Sequence, residues 1–351
     1  MENMEGLKLN NFKFKNKKVL GFGEIMLRLT PPNNQKIIQA NSFDTVYSGG
    51  EANVIASLAM FGHNTKFVTK LPNNYLGQKV VSKFRGYNID VNDILIGEGR
   101  LGIYYSEIGH GVRSTEVIYD RKYSAISMAK KEEFDLDKIL DSVGVVHLSG
   151  ITPALSDELY DFIIEIVKKC NKEGILVSYD SNYREKLWPL EKARILLEEI
   201  LPYIDVVFLG YLDMINILKF EDKEIDFEEN LERLYRVLFE KYPNLKVAAC
   251  TKRKVNSINN NSLKGYLFNG KKLIKSNEYT FDILDRVGGG DAFTAGILHG
   301  ILKEIDEERI IEFGICASAL KHSIQGDINL VDEETVNSLI DSGLCNIKRW
   351  I

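Results

Sequence analysis

The 351-residue chain is 44% hydrophobic and 27% charged, which is the composition of a globular protein with a substantial buried core. Its formal net charge of −5 argues against nucleic acid as a partner, because nucleic-acid-binding domains present a basic face. No apolar run approaches the roughly 18 residues that span a bilayer, and the polar residues 1–18 carry no signal-peptide pattern. We therefore expect a cytoplasmic protein without membrane contact, in which residues 1–18 form a lead-in.

The spacing of the cysteines argues against disulfide bonds and against a zinc site. They are far apart and form no CxxC or Cys/His cluster, which predicts reduced, mostly buried thiols and neither a disulfide framework nor a zinc site. They are Cys170, Cys250, Cys316 and Cys345.

The first predicted element is a strand over 19–29, ended by two prolines. Within it, residues 21–23 supply the first two glycines of the dinucleotide-binding pattern G-x-G-x-x-G. Met26 replaces the third glycine and no helix follows, so this sequence does not predict a dinucleotide site.

A helix predicted over 51–61 begins directly after Gly49 and Gly50. With Asn53 in its first turn, this helix start could present backbone amides and a side-chain amide to a polar ligand. A closely packed helix start would explain the two glycines equally well.

The next region lacks the alternation of strands and helices seen elsewhere. Two β-like runs, 101–108 and 112–119, flank the hairpin signal Gly109-His110-Gly111. Together with short extended segments in 36–48, they predict a small β-lid formed by about 30–48 and 99–123.

Strands and helices alternate from residue 143 onward. This order predicts a mostly parallel sheet with helices on both faces, whose ligands lie beyond the carboxyl ends of the strands. The predicted strands are 145–148, 175–180, 206–209 and 246–250, and the predicted helices are 157–169, 191–201 and 228–240. A polar loop over 256–262 then precedes a hairpin of 263–267 and 273–276 and helices over 291–303, 307–321 and 333–341.

The segment 285–293, DRVGGGDAF, carries the strongest chemical signal. Its three glycines let the backbone turn sharply and direct several N–H groups into one space, to which the following helix adds its own unpaired amides and its dipole. We expect an anion site at Gly288, Gly289 and Gly290. Asp291 stands where it could take a proton from a hydroxyl that attacks a bound phosphate. The alternative is a helix N-cap without catalytic function.

Six segments in order, spread over about 19–341, resemble the ribokinase-like (PfkB) carbohydrate kinases, and most closely the 2-keto-3-deoxygluconate kinases. The segment at 285–291 matches the C-terminal signature of the family, usually D-T-T-G-A-G-D. The other matching segments are 21–32 (GFGEIMLRLTPP), 49–54 (GGEANV), 119–125 (YDRKYSA), 180–188 (DSNYREKLW) and 319–327 (ALKHSIQGD).

The resemblance implies an α/β fold of the ribokinase-like type over 19–345. This is a three-layer sandwich with a mostly parallel central sheet and a small β-sheet lid that closes over the sugar. It further implies ATP and Mg²⁺, with Asp291 as general base. The amides of Gly288, Gly289 and Gly290 would stabilise charge on the transferred phosphoryl group. Pairing of two lids would make a homodimer.

The resemblance also implies a site for the acid end of a sugar acid, formed by Arg121 and Arg184. A planar guanidinium can bind both oxygens of a carboxylate. Without the resemblance, each arginine would be a surface ion-pair partner and each strand tyrosine a packing residue. The other residues assigned to the substrate are Gly49, Gly50, Asn53, Tyr104 (with Tyr105 as an alternate alignment), Tyr119 and Asp291.

Two stretches depart from the family pattern. Residues 210–213 read GYLD where an N-x-x-E motif usually helps to organise Mg²⁺, so no metal ligand is assigned. Asp213 could substitute in part for the missing residues, and a carboxylate on a helix surface is the favoured alternative. A basic run over 251–257 replaces the usual glycine-containing nucleotide loop. From this run Thr251 and Lys252 are assigned to the nucleotide, together with Gly288 and Gly290. A solvated charge run is the alternative.

The sequence therefore predicts ATP-dependent phosphorylation of 2-keto-3-deoxy-D-gluconate at its terminal hydroxyl, giving 2-keto-3-deoxy-6-phosphogluconate. The alternatives are a kinase for another sugar or sugar acid, such as a fructokinase, and a non-catalytic sugar-binding regulator built on a kinase scaffold.

Overall fold

The computed structural model describes residue 14 and residues 16–343. In chain order the strands are β1 (Lys18–Phe22), β2 (Met26–Thr30), β3 (Asp44–Ser48), β4 (Thr65–Val68), β5 (Lys70–Pro72), β6 (Ile89–Asp90), β7 (Leu95–Gly97), β8 (Gly102–Glu107), β9 (Glu116–Asp120), β10 (Val143–Ser149), β11 (Leu176–Asp180), β12 (Val206–Phe208), β13 (Val247–Ser257), β14 (Asn260–Phe268) and β15 (Leu273–Asp282). The α-helices are α1 (Gly50–Met60), α2 (Tyr75–Gly86), α3 (Leu136–Leu140), α4 (Asp157–Glu173), α5 (Leu190–Ile200), α6 (Tyr211–Asn216), α7 (Phe227–Lys241), α8 (Gly289–Leu302), α9 (Glu307–Lys321) and α10 (Glu333–Ser342).

The main sheet has nine strands in the order β15-β14-β13-β12-β11-β10-β1-β4-β6. Neighbouring strands from β13 to β6 are parallel, whereas β13, β14 and β15 form an antiparallel edge. Strand β10 is buried along its whole length, as expected for a parallel strand covered by helices on both faces. The carboxyl ends of the parallel strands meet at one edge of this sheet.

Two apolar cores flank the main sheet, one on each face. Helices α4, α5 and α7 contribute to one core, and α1, α8, α9 and α10 contribute to the other. In the second core α8 and α9 touch backbone to backbone, since a Cβ on Gly296 would lie 2.7 Å from the Cα of Gly314. This close packing fixes α8, whose N-terminus faces the carboxyl ends of the strands.

Local signals define where the main helices begin and end. The Ser156 hydroxyl accepts a hydrogen bond from the Leu159 amide at the start of α4, and Gly174 ends that helix in the left-handed conformation. Asp226 caps α7 in the same way as Ser156 caps α4. Such caps satisfy terminal backbone groups that have no partner inside the helix.

A second sheet has four strands in the order β3-β2-β8-β9; we call it the lid. Strand β2 is antiparallel to β3 and parallel to β8, and β9 completes the sheet as an antiparallel edge strand. The side chains of Ile118 and Tyr119 on β9 are 54% and 41% exposed. Dimerisation through the lid stays a prediction.

The architecture confirms the expected three-layer α/β fold with a small β-sheet lid. Two expectations were wrong. The run 19–29 is not one strand, because it bends after β1 and continues as β2 in the lid. Residues 256–262 are not a loop, because β13 and β14 continue through most of this segment as a long hairpin. Asn256 and Ser257 on β13 are exposed, whereas the polar residues Asn261 and Ser262 on β14 are buried.

Several sequence expectations concern residues at the ends of the chain. Most of the lead-in 1–18, the end of the domain at 345 and Cys345 lie outside the described residues. Cys170, Cys250 and Cys316 are buried thiols, as expected. Within the described part of the chain, no helix combines the length and apolar character needed to cross a bilayer.

Candidate active site

A cavity of about 340 Å³ lies between the lid and the carboxyl ends of the parallel strands. We call it the first cavity. It brings together all the residues that the sequence assigned to catalysis or to the substrate. These residues are Gly49, Gly50, Asn53, Tyr104, Tyr119, Arg121, Arg184, Gly288, Gly289, Gly290 and Asp291.

Asp291 in the first turn of α8 faces Asn53 in the first turn of α1. The Asn53 side chain donates from Nδ2 to Oδ2 of Asp291 at 2.7 Å. Its Oδ1 accepts from the Gly49 amide at 3.3 Å. Asn53 therefore holds one oxygen of the carboxylate and leaves the other without a hydrogen bond from the described residues. That second oxygen is available to a hydroxyl in the cavity.

Two carboxyl groups of this cavity titrate near neutral pH. Burial raises the pKa of Asp291 to about 7, while the hydrogen bond from Asn53 and the charge of Arg184 act in the opposite direction. Burial and the charge of Asp291 raise the pKa of Asp180, at the end of β11, to about 7 as well. A carboxylate whose pKa lies near the working pH is well suited to accept a proton.

The glycine loop has a conformation that explains its sequence. Gly288 caps α8 with a φ of 84°, in the left-handed region. A Cβ at this position would lie 1.8 Å from the carbonyl oxygen of Asp327, so both conformation and space require glycine. A Cβ on Gly290 would meet nothing within 4 Å. The first amides of α8, which lack partners inside the helix, therefore border open space that suits an anion.

A second cavity of about 280 Å³ adjoins the first. Of the two residues of the basic run that the sequence assigned to the nucleotide, Thr251 lines this cavity and Lys252 does not. The Lys252 ammonium instead lies 3.6 Å from the ring centroid of Phe227, and residues 251–257 are exposed. The solvated charge run is thus the better description of this strand. The residues shared by the two cavities are Asp180, Asn182, Arg184 and Gly290.

The second cavity offers few ligands for a metal. Asp213 lines it and accepts hydrogen bonds from the Ser181 hydroxyl at 2.8 Å and the Gly210 amide at 3.0 Å. Among the described residues, no group of three or more His, Cys, Asp or Glu side chains could hold a metal ion. Asp180 and Asp213 fit a Mg²⁺ ion held mainly by phosphate and water, because Mg²⁺ needs only one or two protein carboxylates.

Arg121 is less available than the sequence suggested. It is buried against Glu24, whose Oε2 accepts from Nε of Arg121 at 2.8 Å and also from Nη2. Both side chains are at least nine-tenths buried. The charge of Arg121 is therefore largely neutralised by its own protein, although its guanidinium lines the first cavity.

Arg184 and Arg286 remain available to a ligand. Arg184 is exposed and donates only to the backbone carbonyls of Asn182 and Tyr183, at 3.3 and 3.1 Å. Arg286 is half-buried, lines the first cavity and donates to the carbonyl of Ile258 at 3.2 Å. Neither forms an ion pair within the described part of the chain. Burial, and then the charge of Arg253, lower the pKa of Arg286, as expected for a guanidinium that has no carboxylate partner among the described residues of this wall.

Asp327 connects the lid to the glycine loop. Its Oδ1 accepts from Arg28 at 2.5 Å, and its Oδ2 accepts from the hydroxyls of Ser48, at 2.5 Å, and Tyr104. Arg28 also pairs with Asp285 at 2.8 Å. Three lid strands thus converge on one carboxylate that lines the first cavity.

The sequence assigned no function to Asp180, Asp327, Arg286, Glu24 or Arg28, which line the first cavity or pair with residues that line it. Asp180 could have been found, because a carboxylate at the end of a parallel strand lies at the ligand-binding edge. Asp327 and Arg286 lie inside matching segments, but no pattern in those segments distinguished them. The remaining two are Glu24 and Arg28, whose pairing with distant residues leaves no local signal.

Comparison with known proteins identifies this arrangement. Residues 16–334 match the model of the pfkB family of carbohydrate kinases. The chain belongs to this family. The match covers both sheets and the glycine loop, and it includes every residue that lines the first cavity.

Three relatives of this pfkB kinase are informative. The 2-dehydro-3-deoxygalactonokinase of Haloferax volcanii is 27% identical over 93% of this chain and 98% of its own length. The 2-dehydro-3-deoxygluconokinase of Bacillus subtilis is 25% identical over 88% of this chain and 90% of its own length. The crystal structure of the 2-dehydro-3-deoxygluconokinase of Thermotoga maritima superposes with a TM-score of 0.90. It is 40% identical and covers 93% of this chain and 100% of its own.

Substitution of Gly288 tests the geometry of the glycine loop. We expect Gly288→Ala to lower stability by more than the roughly 1–2 kcal/mol of left-handed strain, because its Cβ also meets the Asp327 carbonyl. Gly174→Ala is the matched control, since Gly174 has a φ of 70° but nothing within 4 Å of a Cβ. Compared with Gly174→Ala, Gly288→Ala should lose more stability in urea unfolding and more kinase turnover. Equal losses of stability, with full activity retained, would contradict this geometry.

The raised pKa of Asp291 predicts a pH dependence with opposite signs for rate and stability. A general base must be ionised to accept a proton, so this role for Asp291 predicts that kcat/KM falls about tenfold per pH unit below about 7. Because burial holds the pKa of native Asp291 above the usual range of an aspartate carboxyl, the stability contributed by the protonated form is lost as pH rises through about 7.

The variant Asp291→Asn separates the two effects. It should have no measurable turnover, and above about pH 7 it should unfold at a higher temperature than the wild type, with a difference that shrinks toward about pH 5. Near-normal turnover of this variant, or a flat kcat/KM profile of the wild type below about pH 7, would exclude Asp291 as the base.

Proposed function

We propose that this pfkB kinase transfers a phosphoryl group from ATP to the terminal hydroxyl of 2-keto-3-deoxy-D-gluconate. One observation carries the choice of an acidic sugar. The guanidinium groups of Arg184 and Arg286 line the cavity that contains Asp291, and neither is ion-paired within the described part of the chain. Such groups favour a substrate carboxylate over an uncharged sugar end.

The relatives support the same class of substrate. Those named above act, by name, on 2-dehydro-3-deoxygluconate or 2-dehydro-3-deoxygalactonate. Both compounds are 2-keto-3-deoxy sugar acids that differ only in configuration at one carbon. The identities of 25–40% support the acid class more strongly than the choice of epimer. The galactonate epimer is therefore the second candidate.

The chain's own residues divide the reaction between them. Asp291 would take the proton of the attacking hydroxyl through the oxygen that Asn53 leaves unoccupied. The amides of Gly289 and Gly290, at the start of α8, would donate hydrogen bonds to oxygens of the transferred group, where negative charge develops. Arg184 and Arg286 would hold the acid end of the sugar and so align the far hydroxyl with Asp291.

The lid has a separate function in this scheme. Tyr104 and Tyr119 line the first cavity from the lid, and their ring centroids are 5.8 Å apart. Together they would cover the sugar and exclude water, which competes as an acceptor of the phosphoryl group.

Kinases of this family use ATP, and the second cavity is the proposed nucleotide site. It meets the first cavity at Gly290, so a phosphate chain entering from it would reach the start of α8. When bound, ATP with Mg²⁺ supplies the phosphoryl group, and the metal offsets the charge of the phosphates. Asp180 and Asp213 would contact the metal or its water ligands.

A panel of acceptors tests the substrate assignment. ADP release should be fastest with 2-keto-3-deoxy-D-gluconate, slower with its galactonate epimer, and at least about a hundredfold lower in kcat/KM with fructose or ribose, because these leave both guanidiniums unpaired. Faster turnover of either neutral sugar would overturn the proposal. Faster turnover of the galactonate epimer would replace the proposed substrate with the second candidate.

Arginine substitutions test how the acid is recognised. We expect Arg184→Met to raise the KM for the keto acid at least about tenfold, as loss of a charge-assisted contact costs about 1.5–3 kcal/mol. The KM for ATP should change less, although Arg184 also borders the second cavity. Arg194→Met is the control, because Arg194 is a surface residue paired with Glu191.

Arg121→Met should behave differently from Arg184→Met. It leaves Glu24 buried without its ion-pair partner, so stability should fall by about 3–5 kcal/mol. The measurements are steady-state kinetics and urea unfolding of the three variants. The proposed function of Arg184 is wrong if its substitution affects ATP more strongly than the keto acid.

A further inference from the structure

Lys321 is a fully buried lysine directly behind the glycine loop. It is the last residue of α9, and its exposed fraction is 0%. Lysine is almost never buried to this extent without a compensating partner. Within the described part of the chain, no carboxylate oxygen lies within ion-pair distance of its ammonium group. The structure therefore needs another reason for placing this charge here.

The partners of the Lys321 ammonium are backbone carbonyls of two segments that form the active site. Nζ donates to the carbonyl of Asp285 at 3.1 Å and to that of Ile324 at 3.2 Å. Asp285 begins the segment that leads into the glycine loop, and Ile324 precedes Asp327 in the cavity wall. Without the ammonium, these two buried oxygens would lose a hydrogen-bond donor.

The same two segments are joined a second time by Arg28, which pairs with the carboxylates of Asp285 at 2.8 Å and Asp327 at 2.5 Å. The amide of Gly326 also donates to the Asp285 carboxylate at 3.0 Å. Carbonyl oxygens are thus held by Lys321, and carboxylates by Arg28. The two cations act on different atoms of the same junction.

The position of this junction determines the position of the glycine loop. The Cα of Gly288 packs so closely against the Asp327 carbonyl that a Cβ would lie 1.8 Å from it. A displacement of 324–327 relative to 285 would therefore move the start of α8, which carries Gly290 and Asp291. Displacements of about 1 Å at a reacting group can cost on the order of a hundredfold in rate.

We propose that Lys321 is a positioning residue for phosphoryl transfer, whose ammonium is an internal cation that holds the glycine loop against the segment bearing Asp327. Its charge also faces Asp285, Asp327 and Asp291 at longer range, and faces Arg28 as a like charge. The proposal rests on the kinase activity of the family and not on the identity of the sugar.

The proposal predicts that the kcat of the wild-type protein does not depend on added monovalent cations. The Lys321→Ala variant, in contrast, leaves a space bordered by the Asp285 and Ile324 carbonyls, which are oxygen ligands that suit K⁺ or NH₄⁺. We expect its kcat to fall on the order of 10- to 100-fold in tetramethylammonium buffer, with smaller changes in KM. Added K⁺ or NH₄⁺ should restore much of the loss.

Two further variants separate charge from packing. Lys321→Met fills the space without a charge, so its kcat should be low and should not respond to K⁺ or NH₄⁺. Lys303→Ala is the control, because Lys303 is a half-exposed lysine near the end of α8 that pairs with Glu333. It should keep wild-type kcat in every buffer. Unfolding temperatures measured in the same buffers show whether the rate losses merely follow stability.

Three outcomes would overturn the proposal. The first is wild-type kcat in Lys321→Ala. The second is a loss of kcat in Lys321→Ala and Lys321→Met that parallels their unfolding temperatures and ignores every cation. The third, which does not depend on a variant that folds, is a wild-type enzyme that requires K⁺.

A crystallographic measurement is independent of turnover and so separates this proposal from the choice of substrate. Crystals of Lys321→Ala soaked in Rb⁺ should show an anomalous peak between the Asp285 and Ile324 carbonyls, and wild-type crystals should show none there. Absence of the peak in the variant would contradict a cation-binding junction. This result would hold even if the enzyme phosphorylated none of the acceptor sugars tested.

Discussion

The ion pairs of Arg28 are the interaction on which the geometry of this active site depends. Arg28 belongs to the lid, is 1% exposed, and binds the carboxylates of Asp285 and Asp327 in the main body. Removing one partner of such a buried pair typically costs about 3–5 kcal/mol, because it leaves an uncompensated charge. The lid is therefore attached to the glycine loop at its inner end, next to the reacting groups. Any motion of the lid relative to the main sheet would have to take place around this fixed point.

This attachment explains how the arginines of the site divide between structure and ligand. Arg28 and Arg121 are buried and neutralised by carboxylates of the protein, whereas Arg184 and Arg286 face the cavities without such partners. Only the second pair has charge left for a ligand anion. Burial and pairing, more than position in a matching segment, thus decide which arginine can recognise an acid.

The sequence predicted the fold and most of the cavity wall for physical reasons that can be named. Alternating apolar runs and glycine signals are local, and they located the parallel strands, α1 and α8, with Asn53 and Asp291 in the first turns. What the sequence could not show was the pairing of distant charges. Arg28 with Asp327 and Arg121 with Glu24 join residues 299 and 97 positions apart. The break after Phe22 was missed for a related reason, since both halves of the run 19–29 are buried strands and only their partner strands differ.

The environment of Asp291 affects two opposing properties of its carboxyl group, its strength as a base and the fraction that is ionised near neutral pH. Burial raises its pKa to about 7, which makes it a stronger base once ionised but leaves part of the population protonated near neutral pH. Donors around the carboxylate reverse this effect only in part, since Asn53 contributes one hydrogen bond and Arg184 a more distant charge. An acidic substrate bound to Arg184 would neutralise much of the effect that the charge of Arg184 has on the pKa of Asp291. The carboxylate would then hold a proton more tightly, which favours uptake of the hydroxyl proton at the moment of transfer. In the proposed reaction, recognition of the acid and activation of the hydroxyl would in this way be electrostatically linked through one arginine.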